Sequence, residues 1–86
     1  MFLRLHTPVL AKDKTFILVY LSQGQDVRIQ MSKLRSQGKA YWFNPRNGMR
    51  TLIGMVENKG IRTFNAPGEA GERGKDWILI LEADDR

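Results

Sequence analysis

The sequence contains no cysteine, so neither a disulfide nor a thiolate metal site can hold the chain together, and redox chemistry leaves no trace of the compartment. Histidine is almost missing too. His6 stands alone, without a second imidazole to share a metal or a cysteine to activate, and reads as a strand residue satisfied by its neighbours. No metal site and no cofactor are expected. Long apolar runs are also absent: nothing approaches the roughly 18 residues a membrane-spanning helix needs. Arg4 and His6 break the opening MFLRLHTPVLAK before it could form a signal-peptide core. If the domain is exported, the signal lies on sequence outside this chain.

Groupings that do chemistry are lacking as well. Ser22, Ser32 and Ser36 fall in turn or cap contexts, and none sits in a nucleophile elbow. Asp13, Asp26, Glu57, Glu69, Glu72 and Asp76 occupy strand ends or one loop, with no spacing that pairs two of them for glycoside hydrolysis. The stretch APGEAGERGK, residues 66–75, lacks the GxxxxGK[ST] spacing of a phosphate loop, and a strand rather than a helix follows it. The chain is expected to be noncatalytic.

What is present is a small globular composition. With 86 residues, 42% of them apolar, the chain has material for one core and is expected to form a single domain over residues 1–86. The net charge of +5 invites a nucleic-acid reading. The basic residues are nevertheless spread from Arg4 to Arg86 with acids interleaved, and no run of five like charges occurs, so a solvated surface is expected and nucleic acid is not.

Apolar runs are short and repeatedly cut by turn residues, which suits strands better than helices. The expected strands are Phe2–Thr7, Thr15–Leu21, Asp26–Met31, Lys39–Asn44, Arg50–Val56, Ile61–Asn65 and Asp76–Glu82. TFILVYL and WILIL are apolar at successive positions and are expected to be inner strands, the first covered on both faces. DVRIQM alternates and reads as half-buried. Ser32-Lys33-Leu34 is expected to make one helical turn capped by Ser32, with Leu34 against the core. Asn58-Lys59-Gly60 predicts a tight reversal, and residues 66–76, with a proline and three of the eight glycines, a mobile loop. About seven short strands with almost no helix predict an all-β fold, an antiparallel β-sandwich in preference to a barrel.

The densest local signal is YWFNPRNGMR, residues 41–50. Pro45 presets φ at the first turn position and Gly48 supplies a positive φ, so Pro45-Arg46-Asn47-Gly48 predicts a four-residue hairpin loop held by Asn44, Pro45 and Gly48. Strand alternation puts Tyr41 and Phe43 on one face and Trp42 on the other. One of those faces is core. The other is a candidate binding surface in which Tyr41, Trp42, Phe43, Arg46 and Arg50 are the residues to watch, since aromatic faces and a basic rim suit a sugar polymer or an extended peptide. Core packing is the competing reading for each ring, because large aromatics dominate small cores.

Taken together, DVRIQMSKL, KAYWFNPRNG, IGMVENKGIRTFNAPG and KDWILILE resemble the small C-terminal module described as the putative collagen-binding domain of a collagenase. The resemblance covers about residues 14–82. Its motifs stand here as Val27–Leu34, Trp42–Gly48, Gly60–Gly68 and Asp76–Leu81. Departures are Asn44 where relatives carry Asp, Ile61 in place of Thr, and Ala66 in place of the first Pro. Asn44 keeps a turn-capping side chain and loses a charge, so a binding role for that carboxylate does not carry over.

The resemblance implies a noncatalytic β-sandwich appended to a TIM-barrel, apiosidase-like glycoside-hydrolase domain. The implied partner is that catalytic domain, against which one face would rest, and an apolar patch is expected there. The alternative is a polymer-binding module for polysaccharide or collagen. The resemblance also implies an exported or periplasmic location.

Overall fold

A computed structural model of the chain describes residues 9–10, 12–21, 26–67 and 76–84. Among them are seven strands and one 3-10 turn. They are β1 (Val9–Leu10), β2 (Phe16–Leu21), β3 (Asp26–Gln30), β4 (Gly38–Asn44), β5 (Met49–Val56), β6 (Ile61–Asn65) and β7 (Trp77–Ala83), with the 3-10 turn η1 at Met31–Lys33. All pairings are antiparallel. One sheet has the order β1-β2-β7-β4-β5 and the other pairs β3 with β6. The predicted β-sandwich is therefore the fold observed.

The chain alternates between the sheets, and its last strand inserts between β2 and β4. WILIL and FILVYL are thus both inner strands, as expected. Burial picks out one face of each: Ile17, Val19 and Leu21 from β2, Leu79 and Leu81 from β7, Ala40 and Trp42 from β4. The smaller sheet answers with Val27 and Ile29 from β3 and Phe64 from β6, and Met31 and Leu34 join the same buried cluster. Sheets stacked face to face lie about 10 Å apart, and the shortest extent of the structure is 20 Å.

Two local features fix the strand geometry. A Cβ at Gly38 would lie within 2.8 Å of the Ala83 Cα and closer still to the Glu82 carbonyl, so β4 can approach β7 here only through glycine. Between Ala40 and Tyr41 the β4–β5 register slips by one residue, because Ala40 faces Gly54 while Tyr41 faces Leu52. Ile53 is the extra residue and packs partly against the core. Such a bulge increases local twist and bends the strand.

Several expectations need correction. The strand Thr15–Leu21 is not covered on both sides: Phe16 and Tyr20 are exposed, since the second sheet covers one face only. Ser32 does not cap the helical turn. Gln30 holds the cap position with no side-chain bond, and the turn closes through the Leu34 N–H donating to the Met31 carbonyl. Leu34 is buried as expected. Gly60, at φ +74, ends the reversal after β5, but the strands on either side belong to different sheets, so the turn transfers the chain between layers. The expected strand Phe2–Thr7, the turn at 22–25 and most of the loop at 66–76 lie outside the described residues. A short strand at Val9–Leu10, paired with β2, was not anticipated.

Candidate binding face of the five-stranded sheet

Residues directly opposite one another in an antiparallel pair point to the same side. With Trp42 in the core, the register therefore defines the outer face. Leu18 lies opposite Ile80, Ile80 opposite Tyr41, and Tyr41 opposite Leu52. This row crosses four strands and carries no charge. On one side of it runs Tyr20-Ile78-Phe43-Arg50, and on the other Phe16-Glu82-Lys39-Met55.

The face is wet. Leu18, Ile78, Ile80, Tyr41 and Phe43 are half-buried, and among the described residues the two-stranded sheet packs on the opposite face. Tyr20 is 51% exposed, Leu52 and Met55 57% each. Scattered exposed apolar side chains are ordinary, whereas a contiguous patch rimmed by polar groups marks an interaction surface. The contiguity here is imposed by strand register, which makes the patch a feature of the fold and not of loop conformation.

Charges on this face are largely matched. Arg50 donates to the Glu82 carboxylate at 3.1 Å, and its guanidinium carbon sits 4.2 Å from the Tyr41 ring centroid. One side of the Tyr41 ring is therefore occupied by a cation. At the edge, the Tyr20 hydroxyl donates to Asp76 Oδ2 at 2.6 Å. That hydrogen bond, then burial and the charge of Asp76, raise the Tyr20 pKa above its ordinary value. Next to Lys39, Tyr41, Glu82, Ala83 and Asp84 lies a depression of about 120 Å³, well below the roughly 300 Å³ where small-molecule pockets begin.

The hairpin loop is built as its residues predict. Asn44 Oδ1 accepts from the Arg46 N–H at 2.9 Å, Asn47 Oδ1 accepts from the Met49 N–H at 2.9 Å, and the Gly48 N–H donates to the Asn44 carbonyl at 2.8 Å. Gly48 has φ +75, the left-handed region that glycine enters without strain. Arg46 then reaches back: its Nη1 donates to the Asp76 carbonyl at 2.7 Å, and its guanidinium lies 5.0 Å from the Trp77 ring centroid. The loop is clasped onto the start of β7.

The structure thus separates the five candidates. Tyr41, Phe43 and Arg50 are together on the outer face. Trp42, 7% exposed, points the other way and meets Trp77 edge to face at 6.3 Å, so it is core and leaves the candidate set. Arg46 is exposed, away from the other three, and contacts the Asp76 carbonyl and the Trp77 ring of its own chain. Missed by sequence reasoning were Leu18, Leu52, Ile78 and Ile80, the aliphatic centre of the face. For Leu18, Ile78 and Ile80 the signal was present in the double-sided apolar character of TFILVYL and WILIL, but such a strand reads equally as buried on both sides. Among the described residues no cluster of three His, Cys, Asp or Glu could hold a metal, and no helix is long and apolar enough to cross a membrane.

Among the described residues, these features define a β-sandwich module whose five-stranded sheet turns one face to the core and carries an apolar row on the other. The chain belongs to the family described as "Putative collagen-binding domain of a collagenase", whose model matches residues 5–82. Among solved structures, the chain is similar to a protein described as a glycoside hydrolase, with a TM-score of 0.73 and 17% identity over 95% of this chain and 20% of that one. It is also similar to a glycoside hydrolase family 5 protein from Bacteroides vulgatus ATCC 8482, with a TM-score of 0.74 and 24% identity over 85% of this chain and 16% of that one. At these identities the likeness shows the fold. The chain spans a fifth or less of the length of either. No curated protein matches.

Proposed function

We propose that the chain is a noncatalytic accessory domain of a glycoside hydrolase and that it packs on the catalytic domain through the outer face of its five-stranded sheet. The observation that carries this reading is the uncharged row Leu18-Ile80-Tyr41-Leu52 with its flanking rows. It is a register-fixed apolar surface, and the second sheet leaves it uncovered. The two structural neighbours support it, since each is a much longer chain in which this fold accounts for a fifth or less. An exported or periplasmic location belongs to the same reading and is tested by fractionating cells that express the natural gene.

The polymer-binding alternative uses the same face. The family's description names collagen, and a polysaccharide would need rings open for stacking. Arg50 over one side of Tyr41 and the aliphatic centre of the patch favour protein docking instead. A binding screen on the isolated domain separates the two. Association with the glycoside-hydrolase domain encoded with it, lost in Ile80→Lys, supports docking. Retention on collagen or a polysaccharide, lost in Tyr41→Ala, overturns it in favour of the polymer-binding module.

A further inference from the structure

We infer that Asn47 is a spontaneous deamidation site whose rate is set by opening of the β4–β5 hairpin. The reaction needs the backbone nitrogen of the next residue to attack the asparagine side chain. Here the Gly48 nitrogen, after losing its proton, would bond to Asn47 Cγ, the bond from Cγ to the side-chain nitrogen would break, and ammonia would leave. Water then opens the five-membered succinimide at either carbonyl and returns aspartate or isoaspartate at position 47. Glycine is the residue that hinders the attack least, having no side chain beside the nitrogen.

Position decides which asparagine is at risk. Asn44 precedes Pro45, whose ring nitrogen carries no proton to lose, so its side chain cannot cyclise this way. Asn58 and Asn65 precede Lys59 and Ala66, whose side chains crowd the attack. Asn47 and Gly48 are both solvent-exposed, and Gly48 sits at φ +75 with open space around it.

Two hydrogen bonds oppose the reaction in the closed hairpin. The Gly48 N–H is engaged by the Asn44 carbonyl at 2.8 Å, and Asn47 Oδ1 is held by the Met49 N–H at 2.9 Å. Both must break before nitrogen and Cγ can meet. Two net hydrogen bonds correspond to roughly a thirtyfold population difference between closed and open loop. The product also matters to the face. Aspartate at 47 adds a carboxylate one residue from Arg46, which holds the clasp on Asp76 and Trp77. Isoaspartate adds a backbone carbon to a four-residue loop and breaks its register with β5.

The test is ageing of the purified chain at mildly alkaline pH, folded and in strong urea, with peptide mass spectrometry reading each asparagine over time. The expected result is that Asn47 is the first asparagine to change in both conditions. It should be roughly thirtyfold slower when folded, and several-fold faster in folded Asn44→Gly, where the Asn44 side chain no longer holds the turn. Asn47→Gln should remove the modified peptide. Equal rates in the folded and unfolded chain would overturn the gating, and prior modification of Asn58 or Asn65, or none at Asn47, would overturn the site.

Discussion

Leu79 and Ile80 are consecutive in the central strand and point to opposite faces, which makes them a paired test of which face is core. Leu79 is fully buried between the sheets, with Val19 and Trp42 as its cross-strand neighbours. Cutting it to alanine removes its transfer energy and leaves a cavity, a loss of about 3 kcal/mol. For an 86-residue chain the whole folding stability is on the order of 4–13 kcal/mol. Ile80 is half-buried among side chains that themselves face water. Ile80→Thr keeps β-branching and the strand preference that goes with it, so the isolated domain should lose no more than about 1 kcal/mol. Urea unfolding followed by tryptophan fluorescence reads both. With a slope near 1 kcal/mol per molar, Leu79→Ala should lower the midpoint by about 3 M, and Ile80→Thr by about 1 M or less. Equal losses would refute the assignment, since the outer face would then be a second core.

Two further outcomes follow from local geometry. Gly38→Ala should cost about 2 kcal/mol or more in the same assay, because the new methyl would collide with the β7 backbone at Glu82 and Ala83 and the strands would have to separate. The Tyr20 pKa is raised in the fold, so the folded state holds that proton more tightly than the unfolded one. The stability it contributes is therefore complete below the unfolded tyrosine pKa of about 10 and is lost as pH rises through the folded value. Thermal melting from pH 8 to 12 should fall less steeply above pH 10 in Tyr20→Phe than in the parent chain.

The two-layer β architecture was legible because turn chemistry and apolar spacing agreed along the chain. The hairpin at residues 45–48 was the clearest case: Asn44 caps the turn and Gly48 takes the positive φ that its place in the loop requires. What local pattern could not convey was which side of a doubly apolar strand a second layer would cover. TFILVYL carries Ile17, Val19 and Leu21 on one face and Phe16, Leu18 and Tyr20 on the other. These sets differ little in polarity, so burial depends on where the two-stranded sheet of β3 and β6 packs. The same limit applied to YWF. Alternation separated Trp42 from Tyr41 and Phe43, and only the packing of Trp42 against Trp77 settled which was inside. The slip opposite Ala40 and Tyr41 was invisible for a different reason: a bulge depends on pairing between strands.

Arg46 and Arg50 carry contacts that the sequence did not reveal. Both were read from the sequence as a basic rim for a polymer, and both are exposed. In the structure each is drawn onto a ring and an oxygen of its own chain, Arg46 onto Trp77 and the Asp76 carbonyl, Arg50 onto Tyr41 and Glu82. A guanidinium suits this double role because it is planar, permanently charged and weakly hydrated.

The central claim is that the outer sheet face is covered by a glycoside-hydrolase domain. Methyl NMR of Leu18, Ile78, Ile80 and Leu52, compared between the isolated chain and the chain joined to that domain, reads the face directly. The account predicts large shifts at the methyl groups of these four residues with Ile29 on β3 and Ile61 on β6 unmoved. Unchanged spectra at Ile78 and Ile80, or shifts confined to the β3–β6 sheet, would contradict it.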